Sequence, residues 1–301
     1  MKRVIILFLS LIPALSVYSL TFISEGIRYE VTTENKAVMV ITSGDDIKYS
    51  GDVIIPKSVV YDNIEYEVTS IGDGTFSDCK GLTTITIPES VTNIGNYMFN
   101  GCTSLTLITI PESVTSIGDG TFSGCTNLTS ITIPGSVTSI GYGAFQGCTG
   151  LTSIIIPESV ASIGEHAFSC CTGLTSITIP ESVTRIGYSA FQDCTGLTNI
   201  IIPEGVTSIE DVTFSGCTGL TSITIPESVA SIGDYAFSGC AGLTTINIPE
   251  SVTNIGEWAF KDCKGLKSLS FPSISVLLFS TINLQQSCRC GYKYLSLLAS
   301  H

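Results

Sequence analysis

The most regular reactive side chains in this 301-residue chain are cysteines that recur at a constant interval. Nine of the 12 cysteines form this cysteine ladder: Cys79, Cys102, Cys125, Cys148, Cys171, Cys194, Cys217, Cys240 and Cys263. Thiols on adjacent stacked coils would lie about 5 Å apart, which is within disulfide range. In-register side chains point in parallel, however, and a linear row lacks the convergent geometry of a zinc site. We therefore predict a structural ladder of mostly free, buried thiols.

Glutamates form a second row, which we call the glutamate ridge, directly after the proline of every repeat except one, where Gly135 takes the place. It comprises Glu89, Glu112, Glu158, Glu181, Glu204, Glu227 and Glu250. Carboxylates one coil apart approach the separation of about 5 Å that retaining glycosidases use. That chemistry needs two carboxyl groups in different environments, whereas these groups are equivalent and stand on a solvated corner. The ridge is therefore predicted to be a solubilising surface without a catalytic or metal role.

Other catalytic constellations are missing from the sequence. The two histidines, His166 and His301, have no nucleophile or metal-ligand set beside them, and His166 is predicted to be a surface residue. The sequence also contains no phosphate-binding G-x-x-x-x-G-K loop. We expect a protein that is not an enzyme and that binds no cofactor.

Both rows belong to one repeat, L-x-x-I-x-I-P-E-S-V-x-x-I-G-x-x-A-F-x-x-C-x-x, which recurs eight times between Leu82 and Gly265. This 23-residue period is typical of a solenoid, whose units become stable only when they stack. In the unit at 220–242, Leu220 and the two following isoleucines predict a strand with alternate side chains directed inward, and the proline ends it. Val229 and Ile232 predict a second short extended segment that faces the same core.

The last part of each repeat predicts a corner and a turn. Gly233 is expected to adopt a positive φ, and Ala236 and Phe237 to form one helical or 3-10 turn with the ring in the core. The two residues that follow Gly233 and its equivalents vary between repeats, and we call them the first and second corner residues. They supply the candidate partner-binding corner: Tyr97, Tyr142, Tyr188, Tyr235, Trp258, Asp234 and Glu257.

The outward strand positions are less promising as a binding surface. They are mostly serine and threonine, interrupted by Leu107, Ile155 and Ile201. Because this face lacks aromatic and arginine anchors, we interpret it as ordinary sheet surface.

The charge distribution narrows the choice of partner. The net charge is −13. Between Gly81 and Phe260 the sequence contains fourteen acidic residues and a single basic one, Arg185. Such a surface repels phosphate backbones and anionic lipid, so we expect no nucleic-acid partner. Basic partners remain compatible with this surface.

The chain divides into four segments. Residues 1–19 combine a basic start with an apolar run too short to span a bilayer comfortably, which predicts a signal peptide and export. Residues 20–67 alternate strand-like segments with turn signals, which predicts an N-terminal β cap and first coil. Residues 68–272 form the repeat array, and residues 273–301 an irregular tail without the repeat pattern.

Written as LTSITIPESVTSIGxxAFxGCTG, the repeat resembles the BspA-like, or Treponema-type, leucine-rich repeat of Bacteroides-type bacteria over residues 68–272. The opening SGDVIIPKSVVYDNIEYEVTSIGDGTF also resembles the usual start of such proteins. The resemblance implies a right-handed leucine-rich-repeat solenoid with a parallel β-sheet. It also implies a secreted or surface-displayed adhesin or interaction protein whose partner is a protein, such as a host extracellular-matrix or other cell-surface protein. A glycan-binding or envelope scaffold module is the alternative, and a carbohydrate-active enzyme that uses the ridge is a further one.

Overall fold

The computed structural model describes residues 20–32, 36–44 and 48–270, and these residues contain 22 strands and no helix. In chain order the strands are β1 (Thr21–Ser24), β2 (Ile27–Val31), β3 (Ala37–Ile41), β4 (Gly51–Ile54), β5 (Ser58–Tyr61), β6 (Ile64–Ile71), β7 (Leu82–Thr86), β8 (Asn93–Ile94), β9 (Leu107–Thr109), β10 (Ser116–Ile117), β11 (Ser139–Ile140), β12 (Ser153–Ile155), β13 (Ser162–Ile163), β14 (Ser176–Thr178), β15 (Arg185–Ile186), β16 (Asn199–Ile201), β17 (Ser208–Ile209), β18 (Ser222–Thr224), β19 (Ser231–Ile232), β20 (Thr245–Asn247), β21 (Asn254–Ile255) and β22 (Ser268–Ser270). The predicted signal peptide (1–19) and tail (273–301) lie outside the described residues.

The first strands of the coils form a parallel first wall, whose strand pairing in the described residues is interrupted between β14 and β16 and between β18 and β20. β12 pairs with β14 through Ile154 and Ile177, which occupy the same position in successive repeats, so each coil lies directly above the previous one. The coil between β9 and β12 joins this wall through single bridges at Thr132. The inward isoleucines are buried and the residues that flank them are exposed, as the alternating sequence predicts.

The short second strands form a parallel second wall on the other side of the core. β10, β11, β13 and β15 pair in succession, and β17, β19 and β21 form another set. β8 pairs with β6 of the N-terminal region. In the described residues this wall is therefore interrupted twice, between β8 and β10 and between β15 and β17.

A stack of phenylalanines fills the space between the walls. Neighbouring rings lie 5.3–5.6 Å apart between centroids and are nearly parallel, with interplanar angles of 2–15°. The rings belong to Phe76, Phe99, Phe122, Phe145, Phe168, Phe191, Phe214, Phe237 and Phe260, all fully buried. Because every ring contacts the ring of the next coil, the core is continuous along the array. The predicted repeat solenoid with a parallel β-sheet is confirmed.

Where the sequence predicts one helical or 3-10 turn in each repeat, the structure has a series of separate hydrogen-bonded turns. Cys148 N donates to Phe145 O at 3.1 Å and Leu151 N donates to Cys148 O at 3.1 Å, both with 3-10 spacing. Left-handed residues prevent these bonds from extending into a helix. The second corner residue is left-handed in every coil, with φ of 53–61° at Gly74, Tyr97, Gly120, Gly143, His166, Ser189, Val212, Tyr235 and Trp258.

The reason predicted for the repeat glycine, Gly233 and its equivalents, is wrong. These glycines are not left-handed, in contrast to the corner residues that follow them. A Cβ on Gly233 would lie 2.5 Å from Asp211 N, and one on Gly164 would lie 2.6 Å from both C and O of Gly141. Glycine is favoured there because the backbone of the preceding coil passes closer than a Cβ tolerates, and the second wall is interrupted at the one coil that has Glu210 instead.

A mixed sheet covers the N-terminal end of the array. β2 and β3 pair antiparallel, β3 and β6 pair parallel, and β6 continues into the second wall through β8. Tyr49 closes the phenylalanine stack, with its ring centroid 4.9 Å from that of Phe76 and its hydroxyl donating to Ile41 O. The first coil therefore has its apolar end covered.

Candidate functional site

The candidate partner-binding corner lies where the second wall ends. The rings of Tyr97, Tyr142, Tyr188 and Tyr235 are 39–47% exposed, which is high for side chains of this size. Trp258 is half-buried, and the Lys261 ammonium lies 4.9 Å from its ring centroid. Each ring is attached to backbone whose position the stacked coils fix.

The first corner residue also has a structural role that the sequence analysis missed. Asp73 Oδ1 accepts a hydrogen bond from Asn96 N at 2.7 Å, and Asn96 Oδ1 accepts one from Asp119 N at 2.9 Å. Farther along, Asp234 Oδ1 accepts a bond from the amide of Glu257 at 2.6 Å. A short acceptor at this place therefore joins one coil to the next, and the recurrence of Asp and Asn after the repeat glycine was the signal. Asp234 belongs to this set.

An aromatic cluster occupies the corner of three successive coils. The His166 ring lies edge-on between Tyr142 and Tyr188, with centroid distances of 5.4 and 5.2 Å. His166 is half-buried at the corner, and its buried Nδ1 has no hydrogen-bond partner. The two tyrosines are first corner residues and the histidine is a second corner residue, so the cluster depends on stacking that the linear sequence does not display.

A depression of about 340 Å³ adjoins this cluster. Inside it, Arg185 Nη2 lies 3.9 Å from Glu165 Oε1, and both side chains are about half exposed or more. An ion pair of this exposure contributes little to stability, so both groups remain available to a ligand. The depression is lined by Tyr142, Ser162, Ile163, Gly164, Glu165, Arg185 and Gly187.

The structure places the nine members of the cysteine ladder in the core, where Cys79 to Cys240 are free thiols. From Cys102 onward, each Sγ donates to the phenylalanine carbonyl of the preceding coil at 3.0–3.2 Å. Burial raises the pKa of Cys125, Cys171 and Cys217 to about 12. Because the thiolate is the reactive form, this burial suppresses redox and metal chemistry along the ladder.

The glutamate ridge is exposed along its whole length. The amide of Glu204 donates to Glu181 Oε2 at 3.3 Å. In the described part of the chain, no group of three or more histidine, cysteine or acidic side chains is arranged to hold a metal ion.

Comparisons with known proteins agree with this architecture. Residues 69–198 and 186–288 match the BspA type Leucine rich repeat region, in six copies. No curated protein matches the chain in sequence. A leucine-rich repeat protein from Bacteroides ovatus is 29% identical, with 84% of this chain and 89% of that one covered and a TM-score of 0.40.

Two solved structures with higher TM-scores show the same repeat architecture. A leucine-rich repeat protein from Eubacterium ventriosum is 26% identical, with 85% of this chain and 73% of that one covered and a TM-score of 0.50. The pneumococcal vaccine antigen PcpA is 20% identical, with 83% and 81% covered and a TM-score of 0.51, a likeness of fold. Since the family match spans more than half of the sequence, the chain belongs to the BspA-type leucine-rich repeat family.

Proposed function

We propose that this chain is an exported, non-enzymatic repeat protein that binds a protein partner through the candidate partner-binding corner. The observation that carries the proposal is the row of exposed tyrosines, 39–47% accessible, on a backbone fixed by stacking. The other repeated side chains belong to the core, to bonds between coils, or to the uniform surfaces of the glutamate ridge and the outward strand positions. The corner is therefore where the coils differ in chemistry that a partner could recognise.

Tyrosine and tryptophan suit a protein interface because they bury a large area and lose few rotatable bonds on binding. Tyr97, Tyr235 and Trp258 are second corner residues. Tyr97 lies six coils before Tyr235, and Trp258 lies in the coil after Tyr235, so an extended partner would contact several coils at once. The fourteen acidic residues between Gly81 and Phe260 favour a partner with a basic face, and this attraction should weaken as salt is added.

A surface location is supported by the basic and apolar start at 1–19 and by family membership. The neighbour PcpA is a pneumococcal vaccine antigen, which is compatible with surface display. Among the described residues, no helix has the length and apolar character needed to cross a membrane. The partner would be an extracellular-matrix or other cell-surface protein, and the alternative of a glycan-binding module is supported at one place, the depression beside Arg185.

The test is to screen the purified chain against arrays of extracellular-matrix proteins and of glycans. We expect retention on one or more proteins, and loss of that retention in the triple variant Tyr97→Ala, Tyr235→Ala, Trp258→Ala. The matched control is Glu158→Gln with Glu181→Gln, which changes the glutamate ridge and leaves the corner intact. A chain that no protein retains, or a triple variant that binds as well as the control, would contradict the proposal.

A further inference from the structure

The corner of three successive coils departs from the structural pattern. In the regular coils, a short first corner side chain accepts a hydrogen bond from a backbone amide of the next coil. The last such bond before the depression is donated by the amide of Tyr142, and the next one along the chain is donated by the amide of Asp234 to Asp211. Between them the first corner residues are Tyr142, Glu165 and Tyr188. Larger side chains therefore stand where a short acceptor joins the coils elsewhere, and two of the three line the depression.

The depression also lies beside an interruption of the second wall. β15, which contributes Arg185, has no strand partner in the following coil. That coil has Glu210 in place of the repeat glycine, and Gly205 in place of a serine. Serines at that place donate to a valine carbonyl of the preceding coil, as Ser182 does to Val160 O at 2.7 Å. The coils that line the depression are paired through β11, β13 and β15, and the looser junction lies on one side of it, between β15 and the following coil.

The depression combines the apolar face of one tyrosine ring with two polar side chains of opposite charge. The ring of Tyr142 is 45% exposed, and the edge-on contact with His166 holds it in place. Glu165 supplies hydrogen-bond acceptors, and Arg185, the only basic residue between Gly81 and Phe260, supplies donors. Their charges cancel, so the depression offers both kinds of hydrogen bond without a net charge.

This chemistry matches a neutral sugar ring. A pyranose presents an apolar C–H face that can pack on a tyrosine, and hydroxyl groups that both donate and accept. An anionic ligand would meet Glu165 and the acidic surface, and a cationic one would meet Arg185. A volume of about 340 Å³ is at the small end of ligand pockets, roughly 300–1,000 Å³, which suits one ring. We propose that the depression formed by Tyr142, Glu165 and Arg185 binds a single neutral pyranose ring, the exposed end of a glycan.

The test is saturation-transfer NMR of the full chain with the methyl glycosides of glucose, galactose, mannose and N-acetylglucosamine. Because small ligands have limited binding energy, they should be supplied at about 10 mM. We expect transfer to the ring protons of at least one glycoside. Tyr142→Ala and Arg185→Ala should each weaken its binding about tenfold or more, whereas the matched control Tyr235→Ala, an exposed tyrosine outside the depression, should not.

Arg185→Ala and Glu165→Gln change exposed side chains, so they should fold even if Tyr142→Ala disturbs the aromatic cluster, and unchanged thermal unfolding would verify this. Absence of transfer to every glycoside would overturn the inference, as would equal binding by Arg185→Ala and the wild-type chain. A protein partner that Tyr142→Ala weakens while no glycoside binds would support the protein-binding proposal and overturn the saccharide site.

Discussion

Replacing one repeat glycine with alanine should separate two coils of the solenoid. In Gly164→Ala, the new Cβ would lie 2.6 Å from both C and O of Gly141. Ordinary contact between such atoms begins near 3.4 Å, so the backbones must move apart by about 0.8 Å. Two bonds that join these coils, Gly164 N to Ile140 O at 2.8 Å and Ala161 N to Thr138 O at 2.9 Å, would both be stretched toward rupture.

The expected loss of stability follows from these two effects. Two backbone hydrogen bonds at about 1 kcal/mol each, with overpacking strain of about 1–3 kcal/mol, give a destabilisation of about 3–5 kcal/mol. Gly143→Ala is the matched control, because Gly143 is left-handed but a Cβ there meets no atom closer than 3.5 Å. Its left-handed backbone should cost about 1 kcal/mol.

Urea denaturation followed by far-UV circular dichroism compares the two variants with the wild-type chain, and hydrogen exchange at the Gly164 amide reports the local separation. We expect a much lower midpoint and faster local exchange for Gly164→Ala alone. If Gly143→Ala were as destabilising as Gly164→Ala, the cost of a left-handed backbone would equal the cost of the contact between coils. Our explanation of the repeat glycine would then be refuted.

Three further predictions follow from single contacts. Asp234→Ala should destabilise the chain by about 1 kcal/mol because the amide of Glu257 loses its acceptor, whereas Glu257→Ala should be nearly neutral in the same urea titration. Val212→Gly should raise the midpoint by the equivalent of about 1 kcal/mol, since a β-branched residue with φ of 61° is strained; a lower midpoint would contradict this. Burial raises the pKa of Cys125 and Cys171 to about 12 while unfolded thiols ionise near 8.5. The melting temperature should therefore be insensitive to these thiols below about pH 8 and fall from pH 8 to 10, and a flat profile there would contradict protonated thiols in the fold.

The sequence predicts the walls and core because their cause is local. Alternation around Ile154 places one face of a strand inward, and the proline after it has no donor to continue the ladder. The phenylalanine stack follows once the 23-residue period aligns equivalent rings. These features depend on the period and on residue type alone.

The corner was harder to predict because its geometry depends on the neighbouring coil. Tyr235, His166 and Val212 have the same left-handed backbone as Gly143, so residue type gives no signal for it. The repeat glycine was assigned to backbone conformation because its clash is with residues one coil away. The depression beside Arg185 requires side chains from three coils, and it lies next to an interruption of the second wall that the substitution at Glu210 only hints at.

Hydroxyl-radical footprinting of the chain bound to a protein found on the array tests the central claim most directly, because it compares the corner with every other surface of the same molecule. We predict that partner binding protects Tyr97, Tyr235 and Trp258 while oxidation of the outward first-wall residues Ile155 and Ile201, which are 78% and 64% exposed, stays unchanged. Protection of Ile155 and Ile201 with unchanged oxidation at the corner would contradict the claim that specificity lies at the corner.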